Sequence, residues 1–157
     1  MRKLKIYIDT SIIGGYFDEE FSNDTRLLFD DIVDGSYQLV ISDLTEKELL
    51  NAPENVKTLL KNLGIEFELV IVTEECINLA TEYVKEKVIG NTSINDCIHI
   101  ATATINRIDL LVSWNFKHIV NIQRIIGYNS INLKCGYSIL EIRSPKDLIN
   151  YEDTKEV

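Results

Sequence analysis

Five strand-length apolar runs, at residues 4–9, 37–42, 67–72, 109–113 and 138–142, punctuate this chain, and helical stretches fill the intervals. Several, such as Asp109-Leu110-Leu111-Val112-Ser113, are apolar almost without a break, the pattern of strands covered on both faces. Helices are expected at 24–34 behind the Ser22-Asn23 cap signal, and at 43–51, 54–63, 74–88, 94–106 and 121–130. Gly35, Gly64 and Gly90 fall where helices should end, and Pro53 and Pro145 sit at boundaries. This alternation predicts an α/β domain with a mostly parallel sheet and helices on both sides. At 157 residues there is room for one such domain with a sizeable core and too little for two. The domain is expected over residues 1–145, with 146–157 as a C-terminal extension and charged tail.

Composition narrows the class. Apolar residues make up 45% and charged residues 26%, as in an ordinary globular protein, and no apolar run is long enough to cross a bilayer. Arg2, Lys3 and Lys5 lead into a strand and an acid rather than a signal-peptide core, so the expected location is the cytoplasm. Cys76, Cys97 and Cys135 are odd in number, widely spaced and without a C-x-x-C pair, which argues against a disulfide framework or zinc site and for small core residues. A net charge of -9 argues against nucleic-acid binding through a broad basic surface. It leaves room for a nucleic-acid substrate met through divalent cations held by acids.

Four places carry candidate chemistry. Asp9 ends the first apolar run and is followed at once by Thr10-Ser11-Ile12-Ile13, which puts a carboxylate at the C-terminal edge of a sheet, where open α/β folds keep their sites. Asp9 is equally suited to cap the following helix. Glu48 is either the far end of a Thr45-x-x-Glu48 capping box or, if the helix begins at Ser42, a second-turn residue able to face inward. Asp96 also matches a capping box with Ser93, yet it opens the apolar, small-residue stretch Cys97 to Ile105, which reads as a buried helix. Ser113 and Asn115 follow the fourth apolar run directly, again at a strand's C-terminal end.

Taken together, Tyr7-Ile8-Asp9-Thr10-Ser11-Ile12-Ile13, Ser42-x-x-Thr45-x-x-Glu48-Leu49, Asn95-Asp96-Cys97-Ile98-His99-Ile100-Ala101-x-Ala103 and Leu111-Val112-Ser113-Trp114-Asn115-Phe116-Lys117-His118 resemble, in order and spacing, the four signature segments of PIN-domain proteins. The resemblance runs from about residue 4 to 145. It implies a three-layer α/β/α PIN-like fold whose acids bind Mg²⁺ or Mn²⁺ and hydrolyse RNA phosphodiesters, with Asp9, Glu48 and Asp96 in the metal-binding places. Many single-domain bacterial and archaeal members resemble the VapC toxins of toxin–antitoxin pairs, which implies a homodimer inhibited by an antitoxin laid across the acidic site. The chain departs from the pattern at Asn115, where another Asp is common. An Asn brings a carbonyl oxygen but no charge, so it is read as a positioner of water or substrate, and it admits the alternative of a catalytically weakened domain that binds RNA or protein.

The remaining residues have blander readings beside the functional ones. Thr10, Ser11 and Ser113 are candidates for positioning a ligand or substrate, with helix capping as the plainer role of the first two. His99, flanked by Ile98, Ile100 and Ala101, reads as a hydrogen-bonded core histidine, Trp114 as core packing rather than a base-stacking platform, and Lys117-His118 as a solvated turn. A haloacid-dehalogenase-type phosphatase would want an Asp where Ser11 stands. The first strand–helix turn has no G-x-G-x-x-G, so no dinucleotide cofactor is expected.

Overall fold

The computed structural model describes residues 2–87 and 94–148; the expected helix end at Gly90, the Ser93 cap and the tail beyond 148 lie outside the described residues. Five parallel strands, β1 (Leu4–Ile8), β2 (Tyr37–Ser42), β3 (Phe67–Val70), β4 (Leu110–Val112) and β5 (Glu141–Arg143), form one sheet in the order β3-β2-β1-β4-β5. The sheet among the described residues is therefore all parallel, where a mostly parallel one was expected. The helices are α1 (Thr10–Gly15), α2 (Ser22–Val33), α3 (Asp43–Leu49), α4 (Glu54–Lys57), α5 (Leu59–Asn62), α6 (Glu74–Lys85), α7 (Ile94–Ile105) and α8 (Ile122–Lys134), and a 3₁₀ turn covers Pro145–Leu148.

Because successive strand side chains point to opposite faces, the sheet feeds two cores. Tyr7, Val40, Leu111 and Ile142 face Leu79, Tyr83, Cys97, Ile100 and Tyr128 of α6, α7 and α8. Ile6, Ile8, Leu39, Ile41 and Val112 face Ile12, Leu28, Phe29, Val56 and Leu59 of α1, α2, α4 and α5, where Leu148 of the final turn also packs. The near-continuous apolar runs are thus explained by burial on both sides. The strand order reverses between β1 and β4: the chain moves outward from β1 through β2 to β3, then returns to lay β4 on β1's other side. This reversal is a topological switch point, the place where open α/β sheets bind ligands at the C-terminal ends of their strands, and Asp9 and Ser113 are the residues that leave β1 and β4 there.

Departures from the expected boundaries have local causes. The third strand leaves the ladder after Val70, and the Val72 N–H bonds to Asp43 Oδ1 at 2.9 Å instead. The last strand starts at Glu141 rather than 138, because the Asn129 side chain takes both the N–H and the C=O of Leu140, at 2.8 and 3.0 Å. The helix expected over 54–63 is broken at Thr58, whose hydroxyl bonds back to the Glu54 carbonyl at 2.9 Å, an alternative that competes with the helical ladder. Helix α2 starts at Ser22 itself, with Phe21 at the cap position and no capping side chain. Gly35 closes α2 with φ +93°, a left-handed conformation that a side chain would strain.

Cys76 and Cys97 are buried and Cys135 is exposed, so the expectation of three core cysteines holds for two. Burial, aided by the charge of Asp96, pushes the Cys97 thiol up to about 12, which makes it inert at neutral pH. A thiol reagent should label Cys135 alone in the native protein and all three cysteines after unfolding; fast labelling of Cys97 in the native state would contradict this packing. Among the described residues no helix is long and apolar enough to cross a membrane.

Candidate active site

Asp9 is 5% exposed and stands at the cap position of α1, but its side chain makes no capping hydrogen bond. Its carboxylate instead accepts from two serines, Ser11 Oγ on Oδ1 and Ser113 Oγ on Oδ2, both at 2.6 Å, the short distance of charge-assisted bonds. Each serine is aimed by the backbone of the loop after β4. The Trp114 N–H donates to Ser11 Oγ and the Asn115 N–H to Ser113 Oγ, both at 2.9 Å, which leaves the hydroxyl protons for Asp9. Helix capping is therefore not what the Asp9 side chain does, and the Ser11 hydroxyl is given to Asp9.

Glu48 faces inward. Ser42, not Thr45, caps α3, its Oγ accepting the Thr45 N–H at 3.3 Å, so Glu48 lies in the second turn and takes no part in a capping box. Its Oε1 accepts from the Thr10 hydroxyl at 3.0 Å and from His99 Nε2 at 2.6 Å. His99 is 2% exposed, and its Nδ1 lies 2.6 Å from the Tyr7 hydroxyl, which is 2.8 Å from Ser42 Oγ. The core-histidine reading is met, and the same ring reaches a candidate site acid.

Asp96, in the first turn of α7, accepts on Oδ2 from Asn115 Nδ2 at 3.2 Å and meets His118 Nδ1 at 3.3 Å. The carbonyl oxygen of Asn115 accepts the His118 N–H at 2.9 Å, and the His118 carbonyl accepts the Tyr128 hydroxyl at 2.6 Å. His118 is thus fixed beside Asp96 rather than spread into a solvated turn, a contact that sequence reasoning missed. The signal was there in Asn115-x-x-His118, a spacing at which an Asn side chain closes a local turn on the backbone.

Trp114 is 5% exposed, stacked on Phe21 with ring centres 4.2 Å apart, and donates from Nε1 to Thr25 Oγ1 at 2.9 Å. It packs as expected; the half-exposed aromatic ring of this loop is Phe116.

The acids are close enough to disturb one another. Burial holds the Asp9 carboxyl above its ordinary range against the charge of His99 and the two serine bonds, and the charge of Asp96 adds to the rise. Burial also raises Asp96, opposed by His118, with Glu48 adding to the rise. Glu48, partly buried, is lowered despite that burial, because the bond and charge of His99 and the Thr10 bond favour its ionised form. Among the described residues no three His, Cys, Asp or Glu side chains stand close enough together to hold a metal ion between them. A groove of about 520 Å³ bordered by Lys3, Tyr37, Ile65 and Phe67 includes none of Asp9, Glu48 and Asp96.

A five-stranded parallel α/β sheet with a topological switch point between β1 and β4, where Asp9 and Ser113 leave the strands and Asp96 acts electrostatically on Asp9, defines the class: an open α/β domain with acids near the carboxyl end of its sheet. The PIN domain family model matches residues 6–117, and the chain belongs to the PIN family. Solved structures share this fold at low identity. VapBC2 from Rickettsia felis, bound to a DNA fragment from its promoter, superposes with a TM-score of 0.55 at 14% identity, covering 90% of this chain and 98% of that one. VapC20 from Mycobacterium tuberculosis, a toxin that cleaves the sarcin–ricin loop, gives 0.55 at 12% identity, covering 71% and 91%. A toxin–antitoxin complex from Klebsiella pneumoniae gives 0.53 at 18%, covering 71% and 88%. No curated protein sequence matches the chain.

Proposed function

We propose that this PIN-domain protein is a Mg²⁺- or Mn²⁺-dependent endoribonuclease and the toxin of a type II toxin–antitoxin pair. The observation that carries the reading is the buried carboxylate of Asp9, held by Ser11 and Ser113 and electrostatically coupled to Asp96, which is itself coupled to Glu48. The donor set suits a hard cation: it is all oxygen, and among the described residues Glu48 Oε2 and Asp96 Oδ1 carry no hydrogen bond. Mg²⁺ keeps several waters and is usually bound through one or two carboxylates plus substrate phosphate, so a three-carboxylate cage is not required. Asp9, Glu48 and Asp96 are the residues that would hold the ion, directly or through water. When bound, it would supply the Lewis acidity that polarises a phosphodiester and activates water for attack. The protein's own part is orientation: Ser11 and Ser113 hold Asp9, Thr10 and His99 hold Glu48, and Asn115 and His118 hold Asp96.

Asn115 favours a second reading. Its side-chain carbonyl accepts the His118 N–H and its amide donates to Asp96, so it braces the loop and Asp96 and brings no negative charge to a cation. A catalytically weakened domain that binds RNA or protein would carry the same arrangement.

The partner reading rests on the structural neighbours, which include toxin–antitoxin complexes. An antitoxin with a basic segment would be attracted to these acids, in a chain of net charge -9. The toxin would act as a homodimer in the cytoplasm.

A structured RNA incubated with the purified chain should be cut with Mg²⁺ or Mn²⁺ and left intact with EDTA, and folded Asp96→Asn protein should lose most of that activity. Parent and Asp96→Asn rates that are equal in the presence of metal would sink the nuclease reading; metal-independent binding without turnover would favour the second.

A further inference from the structure

We infer that the buried Tyr7–His99 pair is a positioning strut for Glu48, clamping one carboxylate oxygen so that the other is turned to the divalent cation of the site. The inference rests on the metal-nuclease reading above and adds residues that the PIN signature does not assign. Ser42, Tyr7 and His99 are 0%, 0% and 2% exposed, so their polar atoms have no water to fall back on and must find partners in the protein. They find them in one unbroken line: Thr45 N–H to Ser42 Oγ at 3.3 Å, Ser42 Oγ to Tyr7 Oη at 2.8 Å, Tyr7 Oη to His99 Nδ1 at 2.6 Å, and His99 Nε2 to Glu48 Oε1 at 2.6 Å.

The direction of the last bond follows from its acceptor. An ionised carboxylate accepts only, so Nε2 carries a proton and donates it to Glu48. Beyond that bond the line continues through the contact of Nδ1 with the Tyr7 hydroxyl at 2.6 Å and of Tyr7 Oη with Ser42 Oγ at 2.8 Å.

The line joins β1, β2, α3 and α7. Asp9 follows the first of these, Glu48 sits on the third and Asp96 on the fourth, so the strut ties together the supports of all three acids. A flexible Glu side chain loses considerable rotamer freedom when ordered. Two donors on the same oxygen, His99 and Thr10, impose that order before any cation arrives, and Oε2 is left without a hydrogen bond among the described residues. Partners that orient a ligating carboxylate typically change metal affinity by about 10–100-fold when removed.

The test is Mn²⁺ binding by calorimetry on the full chain, with no substrate and no turnover. His99→Leu, which keeps an apolar side chain of moderate size, should weaken Mn²⁺ affinity by about 10–100-fold. His99→Gln, whose amide N–H can still reach Glu48, should bind more nearly as the parent does, and Tyr7→Phe should fall between them. A folded His99→Leu protein that binds Mn²⁺ as tightly as the parent overturns the strut and leaves the nuclease reading intact; a parent that binds no Mn²⁺ overturns the metal reading as well. ¹⁵N NMR of the unmodified chain reads the strut without any variant. It should find the His99 proton on Nε2, and a neutral ring protonated on Nδ1 overturns the inference whether or not the variants fold.

Discussion

Asp9→Asn should lower RNA cleavage by about a thousandfold while raising the melting temperature of the metal-free protein at neutral pH. The loss follows if Asp9 helps to hold the cation, whose charge stabilisation is worth several kcal/mol, each 1.36 kcal/mol being a factor of ten in rate. The gain in stability follows from linkage. Burial raises the Asp9 carboxyl above its ordinary 3.8, so between that value and its folded value the native state holds a proton that the unfolded chain has released. Stability from this group is therefore complete below about pH 4 and is lost as the pH rises through the folded value. An Asn has no such proton to lose, and its amide can still bond Ser11 and Ser113. Thermal melts of both proteins from pH 3.5 to 7.5, with EDTA present, should nearly coincide in acid and separate toward neutrality. A variant less stable than the parent at pH 7 would show that the carboxylate is a structural prop rather than a charge kept for function.

The second large effect has the opposite signature, with stability and activity falling together. A Cβ at Gly15 would lie 2.7 Å from Trp114 Nε1, 2.8 Å from its Cδ1 and 3.0 Å from Thr25 Oγ1, the two partners of a buried hydrogen bond. Neither can yield without moving the other. Gly15→Ala should cost roughly 1–3 kcal/mol through overpacking, or roughly 2–12 °C in melting temperature for a chain of this size. The damage should reach the site, because the Trp114 and Asn115 N–H groups orient the serines that hold Asp9. Gly14 supplies the control: a Cβ there meets nothing within 4 Å, and Gly14→Ala should be neutral or slightly stabilising on helix propensity. Differential scanning calorimetry of the two variants separates these outcomes. Equal melting temperatures for both would show that the packing around Trp114 is looser than its contacts indicate.

How much of the molecule could be read from its residues depended on whether the deciding interaction is local. The positions of β1 and β2 and most of the helix framework follow from apolar runs and punctuation. The misplaced start of β5 and the break at Thr58 each turn on a side-chain-to-backbone bond, from Asn129 and Thr58, that competes with regular structure and leaves no trace in periodicity. In the site, Asp9, Glu48 and Asp96 were each ambiguous between helix capping and chemistry. For Asp9 the ambiguity ended when Ser113, 104 positions away, proved to be its partner; for Glu48 it ended with His99, 51 positions away. His118 passed for a surface turn because its contact with Asp96 also joins two separate elements.

The sequence by itself determined the α/β class, the family signature and the placing of acids at strand and helix ends, since apolar periodicity and turn chemistry act over a few residues. Only the tertiary structure decided what those acids do to one another. Strand order brought β1 beside β4, burial raised Asp9 and Asp96, and His99 and Thr10 lowered Glu48 instead. Desolvation and hydrogen bonding between distant residues exist only once the chain is folded, and they turn three similar carboxylates into three different ones.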